Sequence, residues 1–179
     1  MASSLDGKIR FVQGKGMIAN AGMSALFSDL LTELFNALNP FAEKSEFTGL
    51  DCSVINFAIE SGRVLVKPMI FHTENITIVS GGEINLATEI IDLAFQTKVR
   101  KGIGISAGMV VHPFIKVGGT LGSPIIELDP GKVAVSGTVA VATLGLSLIG
   151  KSLFDRFLSS KDPCGDALKQ LQKDDADKK

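Results

Sequence analysis

The 179-residue chain carries 21% charged residues and a net charge of −1, so it offers no basic stripe for a nucleic-acid backbone, and nucleic acid is not expected as a partner. Its length is that of one domain with its own core. An apolar fraction of 45% and a mean hydropathy of +0.31 are high for a small soluble domain, which indicates that some apolar surface faces something other than water.

The opening residues, MASSLDGKIR, have neither the basic nor the apolar region of a signal peptide. This start suits either a cytosolic protein or a fragment of a longer exported protein. Two cysteines are too few for a disulfide framework and lack the partners of a metal site. The residues alone leave open whether these cysteines are free thiols.

An amphipathic helix is predicted between Met23 and Leu38. Apolar residues recur with the spacing of one helical face, and the polar residues occupy the other face. Asn39-Pro40 ends the helix, because proline disfavours helical backbone in the residue before it. The apolar face consists of Leu26, Phe27, Leu30, Leu31, Leu34, Phe35 and Leu38. Such a face must be covered by protein or by a bilayer.

From Thr48 onward the apolar residues alternate with a period of two, which predicts half-buried strands. The short connections leave no room for crossover helices, so the sheet should be an antiparallel meander. Pro68 and Gly81-Gly82 favour bulges and curvature. We therefore predict an α+β, mainly β fold with a curved sheet, closed as a barrel or open as a trough. An apolar concave face and a polar convex face are expected. The residues predicted to line the concave face are Ile55, Phe57, Ile59, Ile76, Ile78, Ile84, Leu86, Leu93 and Phe95.

The segment VGGTLGSPIIELDPG, residues 117–131, is interpreted as a hinge between strands. A strand over Val110 to Val117 leads into turns at Gly118-Gly119 and Gly122-Ser123, and an edge strand follows over Ile125 to Leu128. A phosphate-binding loop would need a Gly-Lys pair that opens a helix, and this segment has none.

Residues 133–150 are uncharged and rich in small side chains, and as a helix they would span about 27 Å. The composition favours a packed or membrane-lying helix over a membrane span, although a span stays possible by length. Residues 166–179 are predicted to form a charged, disordered tail beyond a domain of residues 1–165.

No residue pattern predicts catalysis, a metal site or a cofactor. Gly104 to Gly108 match the G-x-S-x-G nucleophile elbow, but a strand rather than a helix is predicted to follow Ser106. His72 and His112 lack the spacing of metal ligands and are interpreted as strand residues. The carboxylates Glu83, Glu89 and Asp92 fall on the polar side of strands, where they are expected to be solvated.

The order of these features resembles the C-terminal region of the AsmA family over residues 5 to 170. The resemblance is carried by GKGMI, LDCSVINFAIESGRV, GGEINLATEIIDLAF, VGGTLGSPIIELDPG and DPCGDAL. Its most specific parts are G-x-I-x-L…I-x-D-L at Gly82 to Leu93 and V-x-G-T-L-x-x-P at Val117 to Pro124.

The resemblance implies a periplasmic β-trough with an apolar floor, belonging to a protein anchored in the inner membrane of a Gram-negative cell. Members of this family, related to TamB, YhdP and the eukaryotic bridge-like lipid transfer proteins, are associated with phospholipid movement and outer-membrane assembly. The implied partners are phospholipid acyl chains and a membrane surface or envelope protein. A module that only docks an outer-membrane assembly partner is the alternative. The oxidising periplasm also implies a Cys52–Cys164 disulfide.

Overall fold

The computed structural model describes residues 4–19, 46–100, 114–127 and 151–177. The predicted amphipathic helix at 23–38, the small-residue segment at 133–150, the G-x-S-x-G match and His112 lie outside these residues.

The described strands form one antiparallel sheet. Along the sheet the order is β1-β3-β4-β5-β6-β7-β8, and β2 pairs with β3 beyond the end of β1. Among the described strands, β1 and β8 lie at opposite edges, so the sheet is open. The predicted fold class, α+β, mainly β, with an antiparallel meander, is confirmed. The strands are β1 (Gly7–Gln13), β2 (Gly16–Ala19), β3 (Phe47–Glu60), β4 (Arg63–Thr73), β5 (Ile76–Asn85), β6 (Ile91–Val99), β7 (Phe114–Thr120) and β8 (Ser123–Glu127).

Local sequence signals explain the turn and the bend in the first long hairpin. Ser61 and Gly62 have φ values of 49° and 75°, the geometry of the primed turns that join twisted antiparallel strands. In β4 the pairing with both neighbours shifts between Val66 and Met69, so Lys67 and Pro68 form a bulge. The Asn56 side chain satisfies this bulge, because its Nδ2 donates a hydrogen bond to the Lys67 carbonyl at 2.8 Å. The bulge predicted at Pro68 is confirmed.

The segment around residues 117–127 is a hairpin, as expected for a hinge between strands, and of the two predicted turns only the one at Gly122 is present. The strand β7 continues through Gly118 and Gly119 to Thr120, and β8 begins at Ser123. The prediction of a turn at Gly118-Gly119 was therefore wrong. Ladder pairing with Ile125 and Pro124 holds these glycines in the sheet and leaves only Leu121 and Gly122 for the connection.

Two helices follow, α1 (Lys151–Ser159) and α2 (Pro163–Asp177). The prediction of a disordered tail from residue 166 was wrong, because α2 runs through this segment and buries Ala167 and Leu171. Asp162 caps the helix by accepting a hydrogen bond from the Gly165 N–H at 2.9 Å. Proline at the next position favours the same helix start.

Both helices pack against one face of the sheet, which we call the helix face. Its core contains Val54, Ile70, Val79 and Ala94 from the strands and Phe154, Phe157, Cys164, Ala167 and Leu171 from the helices. The expectation that one face of the sheet would be polar was wrong here. Alternate residues of β3, β4 and β5 are also apolar, so the middle of the sheet is apolar on both faces.

A disulfide joins Cys52 in β3 to Cys164 in the first turn of α2. The implied pairing is confirmed, and it ties the start of α2 to the middle of the sheet. The two residues are 112 positions apart, and their Cα atoms are 6.4 Å apart. Closing a loop of this length restricts the unfolded chain, which stabilises the folded state.

We expect Cys52→Ala/Cys164→Ala to lower the free energy of unfolding by about 2–5 kcal/mol, because the unfolded chain regains the entropy of the open loop. Urea unfolding with and without a reductant measures this change. Reductant should destabilise the wild type and leave the double variant unchanged. Equal stability of the oxidised wild type and the variant would contradict the expectation.

Candidate functional site

The sheet face opposite α1 and α2, which we call the distal face, collects the predicted apolar residues. Paired residues of antiparallel strands share a face, and the pairings place eight of the nine predicted groove residues there. The ninth, Leu86, follows the end of β5 in a turn, where its N–H donates to the Gly62 carbonyl at 2.9 Å. The eight are Ile55, Phe57, Ile59, Ile76, Ile78, Ile84, Leu93 and Phe95.

Two neighbouring rows of paired residues cross the distal face. The first row is Phe11, Ile55, Met69, Ser80, Phe95 and Ile115. The second row is Ile9, Phe57, Val66, Gly82, Leu93, Val117 and Ile126. Neighbouring strands lie about 4.8 Å apart, so the second row spans about 29 Å. No charged residue belongs to either row of described residues.

Exposure increases along the first row from β7 towards β1, and in the second row it is also highest at β1. Ile115 and Phe95 are buried, Ile55 and Phe57 are half-buried, and Ile9 and Phe11 on β1 are 56% and 51% exposed. Six buried apolar residues of the face form one cluster, namely Ile76, Ile78, Ile91, Phe95, Ile115 and Val117. The distal face therefore offers apolar surface to solvent at its β1 end.

The smallest residue of each row lies on β5: Ser80 in the first row and Gly82 in the second. Gly82 has a φ of 138°, and a Cβ atom on it would lie 2.1 Å from the Asp92 carbonyl oxygen. Only glycine fits this position, so no side chain covers β5 between Val66 and Leu93. The sequence signals this close approach only as the Gly81-Gly82 pair.

A charged cluster lies at the end of the sheet where β4 turns into β5. The Arg100 guanidinium contacts the Asp51 carboxylate and the Thr73 carbonyl oxygen. His72 is buried beside them, and its Nδ1 lies 2.8 Å from Thr77 Oγ1. Burial lowers the pKa of His72 below its ordinary value of 6.5, and the nearby Arg100 charge lowers it further. Asp51 and Asp162 oppose this shift. The interpretation of His72 as a strand residue is confirmed.

Another ion pair corrects a sequence expectation. Asp92 was expected to be solvated, but it is buried and lies 3.3 Å from the Lys116 ammonium group, measured from Oδ1 to Nζ. This pairing removes the cost of a lone buried charge. The two side chains lie on the helix-face side of β6 and β7 and do not contribute to the distal face.

Within the described ranges, no group of three or more His, Cys, Asp or Glu side chains is placed to hold a metal ion. In the same part of the chain, no helix has both the length and the apolar character needed to cross a membrane.

Comparison with protein-family models, curated proteins and solved structures found no match to this chain.

We expect Gly82→Ala to lower the free energy of unfolding by more than about 2 kcal/mol, because the new Cβ meets backbone at a strained φ. Gly118→Ala is the matched control, since its Cβ would lie 3.9 Å from the Ile91 carbonyl oxygen and therefore cause no clash. Chemical denaturation compares the two. If both variants lost the same free energy of unfolding, the close contact between Gly82 and the Asp92 carbonyl oxygen would not explain the effect.

The lowered pKa of His72 predicts a loss of stability in acid. As the pH falls, the His72 imidazole is protonated near pH 6.5 in the unfolded state and only at lower pH in the folded state. Neutral His72 therefore contributes its full share to the free energy of unfolding above pH 6.5, and this share declines as the pH falls below that value. Unfolding measured at pH 7, 6 and 5 should show a smaller decline for His72→Gln than for the wild type. Parallel curves for the two proteins would contradict the expectation.

Proposed function

We propose that this chain is a non-enzymatic lipid-binding module whose distal face holds phospholipid acyl chains. In this proposal it belongs to a periplasmic, inner-membrane-anchored bridge that moves phospholipid in support of outer-membrane biogenesis. The observation that carries the proposal is the pair of uncharged, largely apolar rows that reach solvent at Ile9 and Phe11.

The energetics of lipid transfer favour such a surface. Each acyl CH₂ exposed to water costs about 0.8 kcal/mol, so two chains do not cross an aqueous compartment unaided. A sheet face about 29 Å wide is roughly twice the 15 Å depth of one leaflet's hydrocarbon, so an acyl chain fits along a row. The exposed side chains of Ile9 and Phe11, at the β1 end of the two rows, are the first that an arriving acyl chain would contact.

The compartment proposed for the protein agrees with its covalent chemistry. Disulfides persist in oxidising compartments such as the periplasm and are rare in the reducing cytosol. The Cys52–Cys164 bond supports a periplasmic location. The resemblance of the chain to the AsmA family supports the same assignment.

Adjacent residues of β1 provide a matched test of the lipid-binding face. Phe11 is 51% exposed on the distal face, and Val12 is 49% exposed on the opposite side of the same strand. We expect Phe11→Asp to weaken phospholipid binding by about tenfold or more, because it replaces apolar contact with a charge. Val12→Asp should bind as the wild type does. Vesicle-transfer assays and mass spectrometry of co-purified lipid measure the effect.

Two outcomes would count against the proposal: purified wild-type protein that carries no phospholipid, or equal phospholipid binding by Phe11→Asp and Val12→Asp. Circular dichroism and urea unfolding of the two variants establish that each is folded. Because both substitutions fall on the same edge strand at similar exposure, a general effect on β1 would change them alike.

The edge strand itself favours a second candidate function, docking of an outer-membrane assembly partner by strand pairing. The opposite edge, β8, is only five residues long and contains Pro124, and both features disfavour pairing with a further strand. The edge strand β1 has seven residues, and Lys8 and Arg10 on it pair with Asp175 of α2. A partner strand could therefore add to β1 without facing two uncompensated cations.

Docking by strand addition makes a different prediction for the same variants. An added strand contacts both sides of β1, so Phe11→Asp and Val12→Asp should both weaken capture of the partner strand. Site-specific photocrosslinking from Gln13, the last residue of β1, followed by identification of the captured protein, measures this in the envelope. Loss of lipid in Phe11→Asp alone supports the lipid function instead.

A further inference from the structure

The hydroxyl of Ser80 is buried without a hydrogen-bond partner among the residues that the structure describes. Its side chain is 0% exposed. Buried polar side-chain atoms nearly always find a partner, and an unsatisfied one calls for a specific explanation. The Ser80 hydroxyl has one donor proton to offer, and the side chains paired with Ser80 across β4 and β6 cannot accept it well.

The surroundings of Ser80 are apolar. It pairs with Met69 on β4 and with Phe95 on β6, and it is the one polar side chain in the described row that runs from Phe11 to Ile115. The position is on the distal face, in the middle of the sheet. A serine here costs stability relative to alanine unless something accepts its proton.

The backbone around Ser80 is irregular. The β4 bulge at Lys67 and Pro68 lies between Val66 and Met69, the residues that pair with Gly82 and Ser80. Bulges are common beside functional sites, where they redirect side chains. The bulge and Gly82, which has no side chain, therefore lie next to the hydroxyl on the distal face.

We propose that Ser80 donates a hydrogen bond to an ester carbonyl of a diacyl lipid whose chains lie on the distal face. This inference rests on the proposed lipid-binding function and names the polar contact within that site. A charged headgroup would need charged or multiple donors, and the two rows contain none. A single neutral donor among apolar residues matches the ester, which is the neutral acceptor that begins each acyl chain.

Access to Ser80 requires a neighbouring side chain to move, because the hydroxyl is fully covered. Met69 is suited to this, since it is half-buried, unbranched and flexible. Phe95 on the other side is buried and packed in the distal-face cluster. A lipid therefore approaches Ser80 from the β4 side, where exposure increases towards β1.

The experiment compares ester-linked and ether-linked phospholipids, which differ in the carbonyl but keep the same headgroup and chain length. Full-length protein is titrated with fluorescent phosphatidylglycerol of each type. We expect the wild type to bind the ester lipid roughly three- to tenfold more tightly, the effect of one neutral hydrogen bond. Ser80→Ala should bind both lipids with the affinity of the wild type for the ether lipid.

Two further measurements separate a lipid contact from a structural role. Ile78→Val, two residues away on the same face, should weaken both lipids alike and keep their ratio. Without lipid, Ser80→Ala should be as stable as the wild type or more stable, because it removes an unpaired buried hydroxyl.

Three results would overturn the inference. An unchanged ester preference in Ser80→Ala, or a loss of stability in the lipid-free variant, would overturn the Ser80 contact while leaving the lipid-binding function in place. Failure of the wild type to bind either lipid would overturn the lipid function and the Ser80 contact together.

Discussion

The register of the antiparallel ladder from β3 to β8 is the constraint on which the molecule depends. Because neighbouring residues point to opposite faces, each pairing decides which apolar side chains meet. The observed register gathers Val54, Ile70 and Val79 under the helices and a second apolar set on the distal face. Shifting one strand by a single residue would turn that strand's distal residues towards α1 and α2 and its helix-face residues towards the distal face.

The two faces differ in how they are covered. On the helix face, Phe154 and Phe157 fill the centre, and the Cys52–Cys164 disulfide holds α2 against β3. At the edge, Asp175 binds Lys8 and Arg10 on the same side. On the distal face, Phe95 and Ile115 are buried, and Phe11 on β1 is half exposed. At β1 both faces keep an exposed apolar side chain, Phe11 on the distal face and Val12 on the helix face.

The irregularities of the sheet concentrate at one place. The bulge at Lys67 and Pro68, the positive-φ Gly82 and the unpaired Ser80 hydroxyl lie side by side on β4 and β5. Each costs stability when taken alone: a bulge removes ladder bonds, a positive φ restricts the residue to glycine, and a lone hydroxyl loses its hydration. Natural proteins keep such departures from local consistency mostly where function requires them.

The sequence by itself determined the strands that follow Thr48, their antiparallel order and the bulge at Pro68, because period-two alternation, turn residues and proline act locally. It also assigned the apolar residues from Ile55 to Phe95 to one set. Only the tertiary structure decided that α2 replaces the predicted tail, since burial of Ala167 and Leu171 outweighs the charge of that segment. Ser80 has the same parity as Ile78 and Gly82, yet nothing in the sequence marks it as unpaired. Whether a hydroxyl finds a partner depends on the atoms that neighbouring strands bring to it, and the chain acquires those neighbours only by folding.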